Sequence, residues 1–246
     1  MTNQGKIKTL NIIKEAYLFI LNNFKTYLVM SLFPIFIHLM EQHLTAYLSF
    51  NYTNMSALIT GSVIIYIITF YVSIRYAINI HKFVITNIEP ERYFSNMWNS
   101  KILWFGIYSI LLGLAGLIIG FVWGFTLVLS VIPLFGKVVI FFIIFSILLW
   151  FVIARFSLIL PSVAVGDEVS LFSFGKKTKG ARLTILLQTL VIFISTLLIF
   201  LILKVINDLV LQNYYFELLY TSLATYVMLA WLITSLSFTY KAWKEL

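Results

Sequence analysis

Six stretches of this chain are apolar for long enough to cross a bilayer: Phe24–Met40, Ala57–Ile74, Ile102–Leu127, Val138–Ala154, Thr184–Leu203 and Leu218–Tyr240. About 20 apolar residues make one helical crossing of the hydrocarbon core. Inside it the backbone has to satisfy its own N–H and C=O groups, which a helix does within one segment. The expected fold is therefore all-α, a polytopic membrane protein of six transmembrane helices forming one domain over residues 1–246. The remainder cannot supply a water-soluble surface. Charged residues make up only 11% of the chain, against about 25% in an ordinary soluble domain. The third run stays apolar beyond one crossing, and Ser130, Pro133, Gly136 and Lys137 mark where it turns.

The cations orient the chain. Of 17 Lys and Arg, only Lys137 and Lys204 fall on the side opposite the N-terminus. Such a bias places the N-terminus and the C-terminus in the cytoplasm. The net charge of +8 thus reads as membrane topology, and no nucleic-acid partner is expected. Lys14 and Glu15 interrupt the early region and no small-residue cleavage site follows Met40, so the first span is expected to be a retained anchor.

The segments on the cationic side carry helical periodicity. Leu10, Ile13, Tyr17, Ile20 and Leu21 share a stripe, with Asn11, Lys14, Glu15 and Asn22 mostly opposite, which predicts an amphipathic helix lying in the interface. Phe94, Met97 and Trp98 make a shorter stripe, and a third segment runs from Asp167 as N-cap to Gly180. Each span returning to this side ends on a cation beside an aromatic: Arg75-Tyr76, Arg155-Phe156 and Tyr240-Lys241. The intervals Arg75–Lys101 and Arg155–Arg182 are nearly equal and each holds an acidic pair, Glu89 with Glu91 and Asp167 with Glu168. This predicts a threefold hairpin repeat, with units of roughly 1–80, 81–160 and 161–246.

Arg75 and Arg155 follow apolar runs on the cationic side. Two roles suit such a residue: an anchor that snorkels to the interface, or a clamp for a lipid phosphate. The Gly175–Thr178 stretch, Gly-Lys-Lys-Thr, lacks the glycine spacing and the preceding strand of a nucleotide loop. With Lys179 and Arg182, its Lys176 and Lys177 form a basic juxtamembrane cluster of the kind that gains about 1 kcal/mol per cation beside anionic lipid. The candidate phosphate-binding residues are therefore Arg75, Arg155, Lys176, Lys177, Lys179 and Arg182. His38 and Glu41 share a helix face near His43, but too few ligands accompany them for a metal, so a polar cap at the end of the span is expected. Gly113, Gly116, Gly120 and Gly124 repeat at small-xxx-small spacing, which serves close helix packing or, through Gly116, Gly120 and Gly124, a homo-oligomer or membrane partner. No cysteine exists, no nucleophilic set is apparent, and the lone histidine near the acidic pair, His81, reads as solvated. No catalytic residues, metal or cofactor are expected.

Arg155-Phe-Ser-Leu-Ile-Leu-Pro161-Ser-Val-Ala164-Val-Gly166, with Ser170 and Thr178-Lys179-Gly180, resembles a segment of the YciC-like bacterial six-span membrane proteins. His81-Lys82-Phe83 is similar to that family's His-Arg-aromatic stretch after the second span. These proteins are related to the membrane domain of certain glycerophosphodiester phosphodiesterases, whose hydrolase domain has no counterpart here. The resemblance implies a multi-pass protein of the bacterial inner membrane, associated with lipids. Together, sequence and resemblance lead to the expectation of a non-enzymatic integral membrane protein that binds anionic phospholipid at its cytoplasmic face and acts in envelope organisation or as a partner subunit. A small-solute or lipid transporter or channel is the alternative.

Overall fold

The structure is a computed structural model that describes residues 9–50, 55–94, 99–130, 145, 154, 156–167 and 182–244. All regular structure among them is helical. The helices are α1 (Thr9–Asn22), α2 (Phe24–Phe50), α3 (Met55–Thr86), α4 (Ser100–Ser130), α5 (Ile159–Val165), α6 (Arg182–Ile206) and α7 (Tyr214–Lys244). Five stretches are long and apolar enough to cross a membrane: Phe24–Tyr47, Ile59–Thr86, Ser100–Ile118, Leu183–Leu211 and Tyr214–Lys244. A multi-pass membrane protein is what such helices build. The expected span Val138–Ala154 lies outside the described residues apart from Phe145 and Ala154. So do residues 95–98 and 168–181, the parts of the expected repeat that precede α4 and α6.

Local chemistry explains where the helices stop. Asn87, at φ 56°, closes α3 in the left-handed region that asparagine tolerates, its N–H donating to the Phe83 carbonyl. Gly166, at φ 83°, closes α5, and the N–H groups of Gly166 and Asp167 both return to Ser162. At the far end α6 widens into a π turn over Asn207–Leu211. There the buried Asn207 side chain accepts from the Asn213 N–H, and Asn213 in turn caps α7 by accepting from the Phe216 N–H.

The core sits at one end of the bundle, the end that carries α1 and the last turns of α7. One cluster joins Tyr27 and Met30 of α2, Tyr76 and Ile80 of α3, and Tyr226 and Ile233 of α7. A second joins Ala154, Leu158, Ile185, Leu236 and Tyr240, and a third joins Ile74, Ile78, Ile102, Phe105 and Ala164. Towards the other end the helix faces are apolar and uncovered, as at Val63, Ile67, Leu117, Leu198 and Ile202. Such faces suit a solvent of acyl chains.

Helix α1 has a packed side and an exposed one. Ile12, Ala16 and Phe19 turn to the protein, with Phe19 against Phe83 and Phe238. Leu10, Tyr17 and Leu21, three of the five residues of the expected stripe, are exposed, and the exposed Lys14 stands among them, four residues after Leu10 and three before Tyr17.

Two expectations are corrected. Among the described residues, nothing lies within 4 Å of a Cβ built at Gly113 or Gly116, so the described helices do not make the close packing expected there. His81 is not solvated. It is 1% exposed, and its Nδ1 lies 2.7 Å from the Ser237 hydroxyl.

Candidate functional site at the cationic end

Nine of the ten described cations stand at the core end: Lys14, Lys25, Arg75, Lys82, Arg92, Lys101, Arg182, Lys241 and Lys244. Lys204 alone is at the other. The segregation follows from helix direction, because α2, α4 and α6 start at this end while α3 and α7 finish there.

The chain leaving α3 folds back along it. Tyr71, Arg75, Asn79 and Lys82 are spaced at i, i+4, i+8 and i+11, one face of a helix. Tyr71 donates to the Tyr93 carbonyl (3.2 Å), and Arg75 donates from Nε to the same oxygen (3.0 Å) and from Nη2 to the Arg92 carbonyl (2.8 Å). Asn79 donates to the Glu91 carbonyl (2.9 Å), and the Lys82 ammonium meets the Glu91 carboxylate at 2.5 Å. A polar face of α3 thus replaces the ladder that an extended segment lacks, and carries the strap about 16 Å back from the helix end.

Tyr93 anchors the tip. Pro34 lies inside α2 and has no N–H, which orphans the carbonyl four residues earlier, that of Met30. The Tyr93 hydroxyl donates to that carbonyl. Its ring packs on Phe33 at 5.2 Å between centroids, and burial pushes its phenol pKa up.

Arg75 is accordingly an inward residue, 2% exposed, with Glu91 a further 3.7 Å contact of its guanidinium. Beside it, Lys101 opens α4. Its Nζ occupies the space that a Cβ at Gly166 would need, so a glycine there serves both the left-handed backbone and the lysine. Lys101 acts electrostatically on both Glu91 and Asp167, yet makes no ion pair among the described residues. Asp167 does not cap a helix within the described chain; it accepts from the Tyr240 hydroxyl and from Lys244 Nζ at 2.8 Å. Burial raises the Asp167 pKa, but the Lys244 and Tyr240 hydrogen bonds outweigh it and hold the carboxyl below its ordinary 3.8.

Of the residues expected to bind phosphate, Arg155, Lys176, Lys177 and Lys179 lie outside the described residues, and Arg182 is the first residue of α6. Lys101 was missed by the sequence reading. The signal for it was present, since Lys101 stands to Arg75 as Arg182 stands to Arg155 in the near-equal intervals of the repeat.

The Lys82 hydrogen bond, with help from Arg75 and Lys101, holds the Glu91 pKa below its ordinary 4.5. A carboxyl depressed on folding stabilises fully above its unfolded pKa and loses that contribution as pH falls through the native value. In pH titrations of unfolding, the wild type is expected to exceed Glu91→Gln at pH 7, and the difference to close below pH 4.5. A gap independent of pH would refute the ion-pair role.

His38 is bracketed by Glu41 at 3.3 Å and Gln42 at 2.9 Å, the polar cap expected of it. No group of three or more His, Asp or Glu able to hold a metal occurs among the described residues. Thr189, Thr196 and Thr225 return their hydroxyls to their own helices, and Gln188 accepts from Thr239 through Oε1 while its buried Nε2 has no hydrogen-bond partner. No protein-family model, curated protein or solved structure matches the chain.

Proposed function

We propose that this is a non-enzymatic membrane protein whose cationic end holds anionic phospholipid in the cytoplasmic leaflet of a bacterial inner membrane. The observation that carries the reading is the segregation of nine described cations to one end, where the described acids are Glu15, Glu89, Glu91 and Asp167. Lys101, like Lys14, Lys25 and Lys241, makes no ion pair among the described residues, and it stands beside Arg75 and the strap, so it is the cation proposed to meet a headgroup phosphate there. Arg155, Lys176, Lys177, Lys179 and Arg182 complete the proposed phosphate-binding set. Arg75 takes the positioning part, holding the strap beside Lys101.

Six spans with both termini cytoplasmic belong to the same proposal. Two observations support this: α4 leaves the cationic end, and Ala154 packs at that same end with Ile185, Leu236 and Tyr240. The resemblance to YciC-like proteins supports the localisation, and a part in envelope organisation or as a partner subunit fits a protein with no catalytic set among the described residues.

Native mass spectrometry from nanodiscs of phosphatidylglycerol and phosphatidylcholine tests the reading. Wild-type protein is expected to retain phosphatidylglycerol preferentially. Replacing Lys101, Arg155 and Lys176 by Gln should lower that retention by up to about 100-fold, each of the three cations contributing about 1 kcal/mol. Equal retention by wild type and variant would sink the proposal.

A further inference from the structure

At the end opposite the cationic cluster, α6 and α7 enclose a groove of about 160 Å³ that opens sideways from the bundle. Each helix supplies positions i, i+3, i+4 and i+7, from Phe193 to Phe200 on α6 and from Thr221 to Met228 on α7. Faces in that register normally meet; here they leave room for several methylene groups. The three threonines do not make it polar. Thr196 donates to the Ile192 carbonyl, Thr221 to Glu217 and Thr225 to Thr221, so they present methyl groups inward.

What closes the groove differs from what lines it. One turn beyond Phe200 on the same face of α6 is Lys204, and one turn before Thr221 on the same face of α7 is Glu217. Lys204 gives one contact to Asp208, 3.0 Å away, and an ammonium has three donors. Glu217 makes no ion pair among the described residues. Between groove and charges stands Tyr220, 3% exposed, with its ring 5.5 Å from that of Phe200 and its hydroxyl without a hydrogen-bond partner. Lys204, Asp208 and Glu217 all act electrostatically on that phenol, which places the unpaired donor at the boundary between apolar lining and charge. A buried hydroxyl without an acceptor costs free energy that an incoming oxygen recovers.

We propose that this groove is a lipid site for an aminophospholipid, a zwitterionic lipid with a primary ammonium in its headgroup. One acyl chain lies between α6 and α7, a phosphate or ester oxygen accepts from Tyr220 and Lys204, and the ammonium meets Glu217. Charge complementarity selects this occupant. The rim holds one cation and two carboxylates, which disfavours an anionic lipid and leaves a carboxylate for a lipid cation. A primary ammonium donates charge-assisted hydrogen bonds to that carboxylate, and a quaternary one cannot. The groove is lined by two membrane-spanning helices, so acyl chains are the medium that surrounds it. This site lies in the leaflet opposite the one proposed above, and it stands whether or not the cationic end binds lipid.

Native mass spectrometry with equimolar phosphatidylethanolamine, phosphatidylcholine and phosphatidylglycerol reads the site. Wild-type protein should retain phosphatidylethanolamine over phosphatidylcholine by about two- to fivefold, the range of a partly exposed ion pair. Glu217→Gln, on an exposed rim position, should erase that preference without changing the phosphatidylglycerol retained at the cationic end. Ala224→Phe fills the groove and should remove one bound lipid of any headgroup, and Thr225→Leu should do so in part if the larger ring prevents folding. Equal retention of ethanolamine and choline lipids by the wild type, or an unchanged preference in Glu217→Gln, would overturn the assignment. So would a phosphatidylglycerol preference that responds to Ala224→Phe.

Discussion

Arg75→Met should lower the unfolding free energy by about 3–5 kcal/mol, the usual cost of removing one partner from a buried charge network. Methionine fills much the same volume, so the loss isolates the guanidinium. Two backbone carbonyls, those of Arg92 and Tyr93, lose charged donors at 2.8 and 3.0 Å, and Glu91 loses one of its two cations. Arg75→Lys keeps the charge but cannot reach two carbonyls with a planar fork, and should cost about half as much. The readout is unfolding in mixed micelles followed by the six tryptophans, together with cleavage by a glutamate-specific protease. Released from α3, the strap loses its fixed backbone around Glu89 and Glu91, and cleavage there should accelerate in step with the stability loss. Stability within about 1 kcal/mol of wild type, the net worth of an ordinary hydrogen bond, would mean that the strap does not depend on Arg75. Tyr93→Phe probes the other anchor, leaving the Met30 carbonyl that Pro34 orphaned without its donor.

That strap marks where the sequence stopped being informative. Apolar runs located all five described spans, because hydrocarbon imposes its requirement residue by residue and needs no knowledge of the fold. The charge asymmetry was legible for the same reason. Helix ends were not. Arg75 looked like the boundary of the second span, yet α3 continues to Thr86, because the partners of Arg75 are backbone carbonyls that carry no side-chain signature. His81 looked solvated because it lies beyond the expected end of the second span, near Glu89 and Glu91, whereas its partners, Ser237 and Phe105, come from other helices. Pro34 announced an orphaned carbonyl, but nothing local said that the donor would come from Tyr93. Lys204 and Glu217 read as ordinary charges near span ends until the facing positions of α6 and α7 were brought together. For Arg155 and the lysines from Lys176 to Lys179, the described structure adds nothing to what the sequence says.

The uneven distribution of the core makes a second prediction with a large effect. Tyr76 is fully buried, its hydroxyl is shared with Ser31 at 2.8 Å, and its ring meets Tyr226 edge-on at 5.4 Å. Tyr76→Ala removes a whole ring from the junction of α2, α3 and α7, and should cost about 3–5 kcal/mol, as aromatic truncations in packed cores do. Tyr76→Phe retains the ring and should cost only about 1 kcal/mol. Ile67→Ala, two to three turns away on the same helix, is the informative contrast. Ile67 is 62% exposed, and lipid chains can take up the space its methyls leave, so its loss should fall within about 0.5 kcal/mol of zero. If lipid rather than protein solvates that end of the bundle, stability has to be concentrated where the polar and aromatic side chains interlock. Comparable losses at Tyr76 and Ile67 would show instead that the open faces are packed against protein in the assembled state, and would move the search for a partner to that end of the bundle.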